Sequence, residues 1–232
     1  QKKKSKFTEL LSKREKRLLK LSHEFLLLLR CHLHYQSNRS NDKFAFDYQQ
    51  TIAQKIYKVE NFKFSKDGNS HVEKMMKTFF LRIKNTKNLT EIFAQIIEKI
   101  LTKKNKKNNF YLPKCKPRFL LNNFLKNLFL DKVTAIDRRL VLEYLNEITI
   151  NETSSKQNID LFKKIFFSDN KEKFLTLFDL GIISKIIPEF SNISYLPQFD
   201  RFHSLTVGQH TLRALNFLKD LQIIRKNSKK HK

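Results

Sequence analysis

Apolar residues recur at steps of three and four along most of this chain. Between Phe7 and Tyr35, Leu10, Leu11, Leu18, Leu21, Phe25, Leu28, Leu29 and His32 share one side of a helical wheel, opposite Lys13, Arg14, Lys16, Arg17 and Lys20. That spacing predicts an amphipathic helix, ended by the polar run Ser37 to Asp42. Tyr48, Ile52 and Ile56 predict a second helix from about Asp47 to Tyr57, and Lys58 to Ser70 reads as a loop leading to an N-cap. The longest periodic stretch, His71 to about Thr102, places Val72, Met75, Met76, Phe79, Phe80, Ile83, Leu89, Ile92, Phe93, Ile96, Ile97 and Ile100 at helical spacing. Asn85 to Asn88 interrupts it and reads as a kink.

A charged polar break from Lys103 to Asn109, followed by Pro113 and Pro117, is the strongest internal boundary. From Phe119 to Asp131 a short irregular or extended piece competes evenly with a helix. Thr134 to Ile148 is predicted helical, with Ile136, Leu140, Val141, Tyr144 and Leu145 inward, and Ile159 to Phe167 follows after a polar gap. Ser168-Asp169-Asn170 offers an N-cap for Phe174 to Leu180, and Gly181 can close that helix in a left-handed conformation. Pro188 and Pro197 bracket a loop before a final helix from about Thr206 to Ile224. The expectation is an all-α fold of two helical lobes, with any strand confined to Tyr111 to Phe129.

Composition supports this. Only 3 Gly and 4 Pro occur in 232 residues, while 40% are hydrophobic, 22 of them Phe. Few breakers favour long helices over a turn-rich β fold. The formal charge of +25 makes nucleic acid the first partner to weigh. Scattered Lys and Asn also suit compositional drift, and polyanion binding of that origin would be non-specific and salt-sensitive. Aromatic residues fall on apolar stripes rather than between basic ones, and no RRM, KH or helix-turn-helix pattern is present. Cys31 and Cys115 lie in no C-x-x-C pair, so a disulfide framework or zinc knuckle has no support, and a reducing cytoplasm fits. No apolar run reaches membrane-spanning length, and the basic N-terminus lacks the apolar core of a secretory signal. The first residue is Gln1, which suggests an internal piece of a longer protein.

Catalytic signatures are sparse. Gly68, Gly181 and Gly208 are too isolated for a phosphate-binding loop, and neither G-x-S-x-G nor H-E-x-x-H occurs. His32 and His34 point to different faces of their helix, and Met75 and Met76 belong to a core stripe. His203 and His210, on either side of Thr206-Val207-Gly208-Gln209, are the remaining candidates for a metal site.

Their surroundings carry a resemblance. Leu175 to Ile183 (LTLFDLGII), then Ile187-Pro188-Glu189-Phe190, then Gln198 to Leu212 (QFDRFHSLTVGQHTL) resemble the bifunctional PII uridylyltransferase/uridylyl-removing enzyme family, GlnD. There a helix with a Gly-Ile/Val-Leu end precedes a Pro-Glu-Phe loop and the entry to an HD hydrolase domain. Arg30, Leu33-His34, Arg39, Asp42, Phe46, Gln49, Ile52-Ala53 and Val72 to Lys77 (VEKMMK) look like the same family's helical region. Matching is weak from about Lys103 to Gln157. Ser204-Leu205 replaces a usual aromatic, and Gly208 a usual Asp.

The resemblance implies a fragment of an enzyme that transfers UMP from UTP to the PII signalling protein and hydrolytically removes it, regulating nitrogen assimilation. Glutamine would be the parent's effector, and Mg2+ or Mn2+ the metal. It divides the chain into a helical region (1–103), a linker (104–118), a second helical lobe (119–197) and the truncated start of an HD domain (198–232). His210 matches the first HD metal ligand, with His203 and Asp200 supporting the segment before it. Arg30, Arg39 and Lys43 become candidate neighbours of a nucleotide or phosphate. No His-Asp dipeptide occurs here, and neither the transferase's Gly-Ser/Asp cluster nor an ACT domain is recognisable, so the fragment alone is expected to be inactive. The alternative is a non-enzymatic basic helical module that binds nucleic acid.

Overall fold

The first helix begins where the sequence offers a cap. In a computed structural model, which describes residues 11–57, 71–102, 119–197 and 205–230, Ser12 is extended and its hydroxyl accepts the Glu15 N–H at 3.1 Å. The Glu15 carboxylate accepts the Ser12 N–H in return at 2.7 Å. This reciprocal box satisfies two otherwise orphaned donors and starts α1 at Lys13–Ser37. Asn38, left-handed at φ 50°, ends it. Helix α2 spans Phe46–Tyr57, and α3 runs unbroken over His71–Thr102.

The kink expected at Asn85 to Asn88 does not form. Asn88 is buried, and its Nδ2 donates to the Asp179 carbonyl at 2.6 Å. Its polarity serves a neighbour in the tertiary structure and leaves the α3 backbone regular. The first half of α3 sets Val72, Met75 and Met76 against Leu29, Leu33, Ile52 and Ala53, while Ile92 and Ile96 further along meet Ala135. One 32-residue helix, about 48 Å long at 1.5 Å per residue, therefore packs against both halves of the chain.

The ambiguous stretch after residue 118 is a helix, α4 at Leu120–Phe129, with Leu120, Leu121, Phe124, Leu125 and Leu128 buried. That i, i+1, i+4, i+5, i+8 set is the inner face of an amphipathic helix. Then come α5 (Ala135–Tyr144), α6 (Ile150–Thr153) and α7 (Lys156–Phe166), each opened by a Thr or Ser cap: Thr134, Thr149 and Ser155. The helix expected to continue to Ile148 instead tightens to a 3-10 turn at Leu145–Glu147, because Thr149 caps a new start. Helix α8 (Lys171–Asp179) is capped by Asn170. Gly181, at φ 79°, reverses the chain, its N–H on the Phe178 carbonyl and that of Ile182 on Leu177. Short helices α9 (Ile183–Ile186) and α10 (Phe190–Ser194) lead to α11, Val207–Lys230. Leu121, Phe124, Leu125, Val141, Ile165, Leu177, Ile182 and Leu212 form the heart of the second core.

Among the described residues the fold is helical, apart from an isolated bridge between Pro197 and Thr206. Several inward assignments differ. Leu28, Ile83, Ile97 and Ile136 are exposed, whereas Glu15, Ser22 and Arg139 are buried. The apolar stripes are wider than the seams that cover them, and α1 meets its neighbours partly through polar groups. Arg14, placed on the solvent face by its spacing, is half-buried and donates to the Glu143 carbonyl. The Lys58 to Ser70 loop and the linker at 104–118 lie outside the described residues.

Candidate functional site

The Thr-Val-Gly-Gln step before His210 is a helix start. Thr206, fully buried, accepts the Gln209 N–H on its hydroxyl at 3.2 Å, and Gln209 Oε1 accepts the Thr206 N–H at 3.0 Å. The Thr206 hydroxyl also donates to the Ser194 carbonyl at 2.9 Å, so the cap is welded to α10. Gly208 is the close-approach residue. A β-carbon there would lie 2.7 Å from Ser194 Cα and 2.8 Å from its carbonyl oxygen. An acidic side chain, which the resembled pattern carries at this position, has no room in this packing. Gly208→Ala is expected to lower stability by about 1–3 kcal/mol through overpacking, measured by urea unfolding; an unchanged midpoint would show that α10 and α11 separate freely.

His210 sits in the first turn of α11, exposed, with its backbone N–H donating to the Thr206 carbonyl at 2.9 Å. Leu212, two residues on, is buried in the second core. The exposed face continues from His210 through Arg213, Ala214, Phe217, Leu218 and Leu221. Phe217, Leu218 and Leu221 are 58%, 56% and 62% exposed, an uncovered apolar stripe headed by an imidazole. No group of three or more His, Cys, Asp or Glu side chains able to hold a metal ion occurs among the described residues. His210 suits one position of a divalent coordination sphere, and such a site needs several ligands. Asp200 and His203 lie outside the described residues.

The basic candidates gather at the other end of the sequence, where α1 ends. Arg30 donates to both Asp42 oxygens, at 2.9 and 3.3 Å, and His34 Nε2 lies 3.3 Å from Oδ1. The His34 hydrogen bond, followed by that of Arg30, holds the Asp42 carboxyl below its ordinary value. Arg39 and Lys43 are exposed in the turn that follows, where the Lys43 N–H bonds Asn41 Oδ1 at 3.0 Å. Arg30 is thus committed to an acid, and Arg39 and Lys43 extend toward solvent.

Two polar groupings escaped the sequence reading. The guanidinium of Arg139 grips Glu15 through Nε at 2.6 Å and Nη2 at 2.7 Å, both side chains nearly inaccessible. Lys84 of α3 donates to the Tyr195 hydroxyl, its Nζ 4.9 Å from that ring's centroid. Burial pulls the Lys84 ammonium down to about 8, opposed by the charge of Asp179, and pushes the Tyr195 phenol up, an effect the same Asp179 charge reinforces. The signal was present: Met76, Phe80, Lys84, Asn88, Ile92 and Ile96 form one i, i+4 row with two polar members. The apolar pattern omits Lys84 and takes Asn88 for part of a kink, and no local rule names their partners.

No helix among the described residues is long and apolar enough to cross a membrane. Cys31 is an exposed free thiol. Residues 3–94 match the family model described as GlnD PII-uridylyltransferase. The bifunctional uridylyltransferase/uridylyl-removing enzymes of Rhodospirillum rubrum, Erythrobacter litoralis and Azospirillum brasilense are 28%, 26% and 27% identical to this chain. The alignments cover 85%, 85% and 87% of it, but only 23%, 24% and 24% of the relatives, so the chain spans about a quarter of their length. No solved structure matches. By these matches, the chain is similar over most of its length to the bifunctional uridylyltransferase/uridylyl-removing enzymes.

Proposed function

We propose that this chain is the helical body, together with the first HD-type helix, of an enzyme that transfers UMP from UTP to the PII protein and removes it hydrolytically, acting in the cytoplasm to regulate nitrogen assimilation. The observation that carries this reading is His210 in the first turn of α11, at the head of an apolar stripe that further packing would cover. A divalent ion, Mg2+ or Mn2+, would supply Lewis-acid chemistry and an activated water for phosphodiester cleavage. His210 would provide one ligand, oriented by the Thr206–Gln209 cap and the contact of Gly208 with Ser194.

Residues 1–103 would buttress the transferase, 119–197 would carry the HD start, and 198–232 would open the hydrolytic domain. Arg39 and Lys43, with Arg30 where it exchanges Asp42 for a nucleotide, would neighbour phosphate. Glutamine would act on the parent enzyme elsewhere. His203 and Asp200 would steady the approach to α11.

The test compares this chain with a longer gene product that contains it, each incubated with PII, radiolabelled UTP and Mg2+ or Mn2+. The longer protein should label PII and release UMP from labelled PII, while the 232-residue chain does neither. Failure of the longer protein in both reactions, or UMP release by the isolated chain, would overturn the proposal.

A further inference from the structure

The position of His210 is inherited from residues 194–196. Thr206 donates to the Ser194 carbonyl, Val207 N–H donates to the Leu196 carbonyl at 2.9 Å, and Gly208 lies against the Ser194 backbone. Any displacement of residues 194–196 therefore carries the first turn of α11 with it. Helix α10 has only five residues, too few to hold its own geometry. Ser194 Oγ ties to the Phe190 carbonyl at 2.7 Å and to Ser184 Oγ at 3.0 Å, both bonds local to the same segment.

The anchor from outside is α3. Lys84 reaches across to the Tyr195 hydroxyl, and Asn88, one turn further on the same face, donates to the Asp179 carbonyl where α8 ends. The two donors grip both ends of the run from Asp179 to Tyr195, which contains the Gly181 reversal, α9 and α10. An ammonium drawn out of water against a phenol, with the Asp179 charge nearby, is a poor device for stability, since an apolar side chain of similar length would avoid its desolvation cost. What it adds is direction: a hydrogen bond defines where Tyr195 sits in a way that packing alone does not.

We propose that Lys84 and Tyr195 are positioning residues for His210, so that the first helical lobe sets the orientation of the candidate metal ligand through α10. This rests on the reading of His210 as a ligand, and it assigns to α3 a role in the hydrolytic reaction although α3 lies in the other lobe.

The test is amide hydrogen exchange on the 232-residue chain and its Lys84→Met, Lys84→Arg and Tyr195→Phe variants. In Lys84→Met and Tyr195→Phe, the His210 amide and its neighbours in the first turn of α11 should exchange roughly tenfold faster. Amides around Ile52 and Met75 should be unchanged. Lys84→Arg, which keeps a donor, should restore much of the protection, and the double variant should resemble either single one because both remove the same bond. Unchanged exchange in the first turn, or an equal rise throughout the chain, would overturn the proposal by reducing the pair to ordinary packing. Tyr195→Phe removes one oxygen and decides the question should Lys84→Met fail to fold. In a longer enzyme, Lys84→Met should also weaken Mn2+ binding at the hydrolytic site. If His210→Ala leaves that binding intact, the ligand reading has failed, while the exchange result still judges the link between α3 and α11.

Discussion

Replacing Arg139 with alanine is expected to lower the unfolding free energy by about 3–5 kcal/mol, the cost of stranding a buried charge. Arg139 and Glu15 are 2% and 3% exposed and lie 124 residues apart in sequence. Glu15 has two tasks: its Oε2 accepts both the Ser12 N–H of the capping box and Arg139 Nη2, while Oε1 takes Nε. The Arg139 guanidinium also lies 5.5 Å from the Phe93 ring centroid, so the pair meets all three of α1, α3 and α5. Close by, Ser12 Oγ donates to Glu143 Oε2 at 2.8 Å. Removing Arg139 leaves the Glu15 carboxylate buried without its cation. Arg139→Lys keeps the charge but cannot reproduce the two-pronged geometry, so it should recover only part of the loss. Replacing both partners with apolar residues should cost less than either single change, apart from about 1 kcal/mol for the lost cap. Urea unfolding followed by circular dichroism measures all four proteins. A loss below about 1 kcal/mol for Arg139→Ala would mean that the pair is solvated like a surface ion pair.

In a longer enzyme that contains this segment, His210→Ala is expected to reduce metal-dependent removal of UMP from PII by more than about a hundredfold, since a lost ligand costs more than the outer-shell partners that merely orient one. Transfer of UMP to PII should stay within about twofold of the parent, because the proposed reactions use separate sites. His210 points away from the core, and Gly208 and Leu212 do the packing on the opposite face. The variant should therefore unfold at the same urea concentration as the parent. Loss of both reactions together, with stability unchanged, would show that the two sites share the residue. Removal of UMP that continues at the parental rate would show that His210 is a surface histidine.

Local patterning carried much of the architecture. Met75, Met76, Ile92 and Ile96 mark the core side of α3, and its bounds at His71–Thr102 follow from their spacing. Asn170 and Gly181 announce the start and end of α8 by cap chemistry. The final helix and its histidine were also legible, although the role of Gly208 was not. Its need for a bare backbone comes from Ser194, fourteen residues earlier in the chain and adjacent only after folding. The helix over Leu120–Phe129 was obscured because its apolar run is short and follows two prolines, where length cannot arbitrate between a strand and a buried helix.

The order of the helices, the capped start at Asn170, and the resemblance carried by Val72 to Lys77 and by the residues around His210 were determined by the sequence alone. These are properties of residues within a few positions of one another, governed by helical periodicity and cap hydrogen bonding. Tertiary structure alone decided that Glu15 faces Arg139, that Asn88 spans to Asp179 instead of bending α3, and that Lys84 reaches Tyr195. Each of these pairs joins residues at least 91 positions apart. A polar side chain on a core stripe reveals that a partner is needed, because burial without one is costly. Which partner meets it is set by how the helices pack, a relation among distant segments that no local spacing encodes.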